Sequence, residues 1–356
     1  MRKGKFALIF TAVLTATIML ASCGGKTVTD NNENNTSEGT VNTEIKEDTV
    51  ATDEKATIPE SVGGPVAFYG EMKTDGNRII GSKSGDVVRV NGMSFFWSNW
   101  SQKYYTPEYV NFMADDFGCE VVRFSYGIDD NGVPYDESDV ERLDTVIEAA
   151  INKGIYAIID WHCHGAHKNP DEAAEFFGRM AEKYGSYDNV IFEIYNEPKD
   201  VKWKEIKAYA ETIIPVIREY SDNLIIVGTP NWSQEVTAAA KTPVEGENIA
   251  YALHFYAGTH KEWLREYGDK ALAAGIPLFV TEWGSVNADG NGGIDKASTA
   301  EWLEWMDENK LSSCVWAVND KDESSSIFIV NSVLSETGEF IQGVIKERTD
   351  NAPWRK

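Results

Sequence analysis

Eight short runs rich in β-branched and aromatic residues, at 93–97, 121–126, 155–161, 190–195, 224–228, 249–255, 278–281 and 313–318, punctuate the second half and more of this chain. Amphipathic helical patterns at 140–153, 172–184, 203–219, 263–274 and 299–309 fall between them. A helix that crosses back over a sheet returns the chain to the end it started from, so strands joined this way run parallel. Eight strand–helix units in about 250 residues are what a parallel sheet needs to close on itself. The pattern therefore predicts one α/β domain, a single (β/α)8 TIM barrel, with a short β-hairpin over 78–90 ahead of it. An open doubly wound sheet is the alternative, but no glycine-rich phosphate loop follows the first run.

Chemistry on such a barrel gathers at the C-terminal ends of the strands. The second run carries Arg123, the third ends Asp160-Trp161-His162 and the fourth Tyr195-Asn196-Glu197-Pro198. The sixth ends His254-Phe255-Tyr256, the seventh Thr281-Glu282-Trp283-Gly284, and the eighth supplies Trp316. Side chains two apart on a strand face the same way, which pairs Asp160 with His162, Glu193 with Glu197, and His254 with Tyr256. An acid at Glu193 suits the barrel interior better than an apolar helix layer, so Glu197 should point up the barrel axis. Glu197 and Glu282 would then meet across the mouth. Cleavage of a glycosidic bond uses such a pair: one carboxylic acid protonates the departing oxygen while the other carboxylate attacks or activates water. Mutual repulsion should raise one pKa and so supply the acid, with Arg123 holding the other group as an anion.

Composition agrees. With 57 acidic against 33 basic side chains the formal net charge is −24, most of it after residue 62, and such a chain repels nucleic acid. Its 11 Trp offer flat rings suited to sugar faces.

The strings Ile194-Tyr195-Asn196-Glu197-Pro198 and Phe279-Val280-Thr281-Glu282-Trp283-Gly284 resemble the acid/base and nucleophile motifs of glycoside hydrolase family 5, the retaining cellulase-type enzymes. The likeness runs from about Val87 to the end of the eighth strand. It includes Tyr251-Ala252-Leu253-His254-Phe255-Tyr256-Ala257-Gly258-Thr259-His260, and Trp316 followed by Asn319-Asp320-Lys321-Asp322-Glu323. The resemblance implies that Glu197 is the acid/base and Glu282 the nucleophile. It further implies that Asn196 bonds the sugar 2-hydroxyl, Arg123 keeps the nucleophile ionised, Tyr256 hydrogen-bonds it, and His162 and His254 flank the reacting sugar. Trp316 resembles the platform beside that sugar. Lys321 and Glu323 match groups reaching the next one, and Trp100 matches a more distal platform. Trp232 looks like a platform on the leaving-group side. Phe96 stands where many of these enzymes place a histidine, and Tyr126 lies one residue closer to Arg123 than the comparable tyrosine; it is carried as a further sugar contact.

The implied activity is endo-cleavage of β-1,4-glucosidic bonds in cellulose or a related β-glucan by double displacement, by a monomer and without metal or organic cofactor. Mannan, xyloglucan or mixed-linkage glucan are alternative substrates. Two rival readings stand beside it. His162-Cys163-His164 is an HxH of the kind that metal-dependent barrel hydrolases use as ligands, although it falls at the third strand and not the first. A non-catalytic glycan-binding protein would keep the Trp platforms but has no need of both carboxylates. Trp203, Trp263, Trp302 and Trp305, at helical spacing, are expected in the core.

The first residues, Met1-Arg2-Lys3-Gly4-Lys5, precede fifteen uncharged positions from Phe6 to Leu20 and then Ala21-Ser22-Cys23-Gly24. A basic start and a short apolar run form an export signal, and the end resembles a bacterial lipoprotein box with Cys23 as the lipidated residue; an ordinary secretory signal is the plainer alternative. The expected organisation is a signal peptide over 1–22, a lipid-bearing Cys23 and polar spacer over 23–62, and the catalytic barrel over 63–356. Such a protein is tethered to a membrane, facing the periplasm or the cell surface. Cys119, Cys163 and Cys314, an odd set without a CxxC pair, read as buried small hydrophobes.

Overall fold

The computed structural model describes residues 63–356. The expected signal peptide (1–22), Cys23 and the spacer (23–62) lie outside the described residues. Eight parallel strands close into a barrel: β1 (Asn91–Phe95), β2 (Val121–Gly127), β3 (Tyr156–His162), β4 (Val190–Glu193), β5 (Ile225–Val227), β6 (Ile249–Tyr256), β7 (Leu278–Gly284) and β8 (Ser313–Val318). They pair in chain order, and β8 closes on β1.

Each of the eight apolar runs overlaps one strand. The helices Asp139–Lys153, Pro170–Tyr184, Trp203–Arg218, Glu262–Ala273 and Lys296–Glu308 lie where the 3.6-residue pattern places them. Asp139–Lys153 stops because Gly154 takes a left-handed conformation, φ 73°, that a Cβ would oppose. Helices Pro107–Asp115, Val236–Lys241 and Glu336–Thr349, where the sequence pattern predicts none, complete the outer ring. The N-terminal hairpin is displaced from the predicted 78–90: Met72–Asp75 pairs with Arg78–Gly81. The turn is set by Gly76 at φ 57°, while Val87 contributes only an isolated bridge to Ile80.

Alternation along the strands builds two apolar layers. Outward residues such as Val122, Phe124, Ile159, Val227, Leu253 and Val280 pack against the helices. Inward residues Val121, Ile158, Ile191, Ile226, Ala252, Phe279 and Cys314 fill the lower barrel, plugged from below by Tyr69, Met72 and Ile79. Above them the interior turns polar, with Ser94, Arg123, Asp160, Glu193, His254, Thr281 and Glu282 all buried. Cys119, Cys163 and Cys314 are free and buried. Trp203, Trp302 and Trp305 belong to the core, but Trp263 is 43% exposed. It stands in the first turn of its helix with its ring against His260 (5.8 Å between centroids), outside the core the periodicity assigned it to.

Candidate active site

The polar upper half is organised by one buried guanidinium. From β2, Arg123 donates through Nε to Glu193 Oε2 (2.6 Å) and through Nη2 to Asn196 Oδ1 (2.7 Å). Its Nη1 donates to Glu282 Oε2 (3.2 Å), and its Nη2 lies 2.9 Å from Asp160 Oδ2. Burial alone would weaken this charge, but Asp160, Glu193 and Glu282 overcome that and hold Arg123 firmly protonated. Charges sealed from water are tolerable only when paired and hydrogen-bonded in this way.

A bulge in β7 brings Glu282 into this cluster. Along β6 the register advances two residues, Ala252 to His254, while β7 advances three, Phe279 to Glu282. An extra residue of this kind re-aims the side chains that follow it, so Thr281 and Glu282 both join the interior network. Thr281 donates to Glu193 Oε1 (2.7 Å), and Glu282 Oε1 accepts from the Tyr256 hydroxyl (2.7 Å). Tyr256 crosses over Gly284, where an added Cβ would stand 2.6 Å from its ring. Burial, then the charges of Glu282 and Glu197, keep that hydroxyl protonated and a donor.

Glu197 lies beyond β4, its side chain 15% exposed toward the cleft. His254 links it to the interior: Nδ1 is 3.0 Å from Glu197 Oε1, and Nε2 is 2.8 Å from the Thr281 hydroxyl. Burial opposes a charge on His254, but the hydrogen bonds to Glu193 and Glu197 prevail and lift its pKa to about 9. As a cation it donates at both nitrogens, giving a continuous chain Glu197–His254–Thr281–Glu193–Arg123. Burial likewise raises Glu193, yet Arg123 and His254 win and bring it below the ordinary carboxylate range. For Glu282, burial and then the Glu197 charge push the carboxyl up against His254, Arg123 and the Tyr256 hydroxyl. The sequence predicts the raised pKa at the acid partner. Deeper burial instead places the upward pressure on Glu282.

Beside this cluster, His162 Nδ1 meets Asp160 Oδ2 at 2.6 Å. Burial pushes the acid up and the imidazole down. The His162 ring stacks on Trp316 (5.3 Å, 8°) and sits edge-on to Trp97 (4.2 Å). Trp316 packs on Phe96, over which lies the Lys321 ammonium, itself 2.6 Å from Glu323. Trp100, 65% exposed, stacks on Trp97. A cleft of about 640 Å³ opens over the carboxylates, bordered by Glu197, Glu282, His254, Tyr256, His260 and Trp232. A larger cavity, about 840 Å³, lies at the opposite end of the barrel. The one guanidinium there, Arg218, is already engaged by the carbonyls of Ser221, Asn223, Glu247 and Asn248.

The structure thus joins Arg123, Asn196, Glu197, His254, Tyr256 and Glu282 in one bonded network. It sets His162 and Trp316 beside them, and Trp100, Lys321 and Glu323 around Phe96. Trp232 is in the cleft. Tyr126 is not: it lies on the outward face of β2, stacked on Phe176 of the helix layer (4.9 Å, 10°), because it is odd in register with Arg123. Thr281, Trp97 and His260 join the site although the sequence does not single them out. His260 Nδ1 accepts from the Tyr256 N–H (2.8 Å), and burial lowers its pKa to about 4, so it stays a neutral acceptor. Strand parity hid Thr281, since its neighbour Glu282 was already placed inside. The HxH pair does not converge: His164 Nδ1 faces the Glu197 carbonyl at 3.2 Å. Among the described residues, the three donors able to meet at one point are Glu197, His254 and Glu282, with ligand atoms within 4.8 Å of one another.

Residues 81–322 match the family described as Cellulase (glycosyl hydrolase family 5). The chain is 44% identical over 283 residues to Endoglucanase Z of Dickeya dadantii, covering 77% of this chain and 66% of that one. It is 39% identical over 285 residues to Endoglucanase A of Evansella cellulosilytica, with 76% and 58% covered. It therefore spans about three fifths to two thirds of the length of these relatives. Among solved structures, a protein from Cytophaga hutchinsonii superposes with a TM-score of 0.77 at 42% identity, covering 80% of this chain and 97% of that one. The catalytic domain of a Thermobifida fusca endoglucanase, solved with cellotetraose, gives 0.75 at 30% identity, covering 80% and 100%.

Proposed function

This chain belongs to glycosyl hydrolase family 5, and from that premise we propose that it hydrolyses internal β-1,4-glucosidic bonds of cellulose or a related β-glucan with net retention. The observation that carries the reading is the approach of the two carboxylates, with an oxygen of Glu197 and one of Glu282 no more than 4.8 Å apart. Retaining enzymes hold the pair at about 5–5.5 Å, whereas inverting ones leave about 6.5–9.5 Å for a water. Glu282, gripped by Arg123 and Tyr256, attacks the anomeric carbon. The glycosidic C–O bond breaks as Glu197 passes its proton to the departing oxygen. Glu197, now a base, takes a proton from water as that water displaces Glu282 and restores the original configuration. Asn196, fixed by Arg123, is placed to bond the sugar 2-hydroxyl. Trp316 and Trp100 carry sugars on one side of the reacting bond and Trp232 on the other. Proton NMR of the first product formed from a cello-oligosaccharide tests this: the β-anomer should appear before mutarotation, and an initial α-anomer would contradict it.

We further infer export and tethering through a lipid on Cys23, supported by the basic leader and its Leu20-Ala21-Ser22-Cys23 end. Cys23→Ser should move the protein from the membrane fraction to the soluble one; unchanged fractionation would contradict the anchor.

A further inference from the structure

Three consecutive residues other than glycine, Asn231, Trp232 and Ser233, have φ of 58°, 56° and 56°. This is the left-handed region, where Cβ crowds the following carbonyl, and L-residues visit it singly if at all. Such a conformation persists only where the surroundings over-determine it, and it gathers at working sites.

It is tied to the backbone on either side of Glu197. The Ser233 hydroxyl, fully buried, donates to the carbonyl of Asn196 at 2.7 Å and accepts from the Thr229 N–H at 3.2 Å. The Trp232 N–H donates to the carbonyl of Pro198 at 3.2 Å. The turn therefore grips the chain on both sides of Glu197, and Asn196 is anchored a second time through its side chain to Arg123. Gly228 allows this closeness: a Cβ there would stand 2.3 Å from the Tyr195 carbonyl oxygen and 2.9 Å from Pro198. The same turn presents the Trp232 ring, 38% exposed, to the cleft. One strained three-residue unit thus carries the leaving-group platform and clamps the peptides that aim the proton donor.

We propose that Ser233 is a positioning residue that couples sugar occupancy at Trp232 to the placement of the Glu197 carboxyl for protonating the departing oxygen. The inference rests on the reading of Glu197 as acid/base. A turn serving only to shape the surface has no need of bonds to both carbonyls flanking that residue. Because the clamp acts through the donor, its loss should matter only when the leaving group needs a proton.

The test compares kcat/KM for cellotetraose, whose departing sugar must be protonated and can occupy Trp232, with that for 2,4-dinitrophenyl β-cellobioside, whose leaving group departs unaided. Ser233→Gly removes the hydroxyl while glycine accepts a φ near +56° without penalty, so the turn survives; Ser233→Ala repeats the test with the Cβ kept. Each should lower the cellotetraose value by about ten-fold or more and the activated value by less than about three-fold. In a double-mutant cycle with Trp232→Ala the cellotetraose losses should fall short of multiplicative. Equal losses on both substrates, no loss on either, or strictly multiplicative losses would overturn the proposal. Glu197→Ala is run alongside. If it lacks the leaving-group split, the reading of Glu197 itself has failed; if it shows the split and Ser233→Gly does not, only the positioning inference falls.

Discussion

The lower and upper halves of the barrel interior are built from the same strands, yet they solve opposite problems. Below, Val121, Ile158, Ile191, Ala252 and Phe279 exclude water and need nothing from one another but contact. One pleat repeat higher, the same strands supply Arg123, Asp160, Glu193, His254 and Glu282, equally buried and tied together by directional bonds. A two-residue step along β2 separates a methyl-lined plug from a guanidinium that faces three carboxylates. The lower layer makes the fold stable, and the upper layer holds charges in fixed places at a cost the lower layer offsets. Stability and activity should therefore separate by height in the barrel, except at Arg123, on which three upper carboxylates depend.

The largest effect expected lies in the upper half: Glu282→Ala should lower kcat/KM on a soluble β-glucan by about 10⁵-fold or more. Its melting temperature should stay close to that of the parent, so loss of both together would blur the division. Arg123→Met should damage both properties, because removing the shared partner leaves Asp160 and Glu193 buried without their counter-charge; destabilisation of about 3–5 kcal/mol by denaturant titration is expected. In the lower half, Phe279→Ala should cost about 3–5 kcal/mol by the same titration, while kcat per folded molecule stays within about two-fold. A large loss of kcat in that variant at temperatures where it is folded would break the comparison.

Smaller effects sharpen it. His254 has a pKa lifted to about 9 against an ordinary value near 6.5, so it adds stability that is complete below about pH 6.5 and is lost as pH rises through about 9. Melting temperatures between those limits should fall less steeply in His254→Asn than in the parent. Tyr126→Phe, outside the cleft, should change kcat/KM by less than about two-fold.

The division by height was half legible in the sequence. Eight β-branched runs separated by helical periods leave little choice but a closed parallel barrel, and the polar residues ending those runs mark the mouth. Parity correctly sent Glu193 inward. It failed where a strand is irregular, because no local signal in Phe279-Val280-Thr281-Glu282 announces that β7 gains a residue against β6 and turns both Thr281 and Glu282 inside. Tyr126 shows the reverse case: a resemblance suggested a sugar contact, while simple alternation from Arg123 already places it outward. Trp263 has helical spacing but sits in the first turn, where that face of the helix is open to solvent. The left-handed turn at 231–233 left no trace in composition, since none of its residues is glycine. Its hydrogen bonds to Asn196 and Pro198 arise only once β4 and β5 are side by side.

That the upper network makes Glu282 a nucleophile is tested most directly by trapping the glycosyl-enzyme. The protein is incubated with an activated 2-deoxy-2-fluoro-cellobioside, digested and read by mass spectrometry. Time-dependent inactivation with one sugar adduct on the peptide bearing Glu282 is expected; an adduct on Glu197, or steady turnover with no adduct at all, would contradict that role.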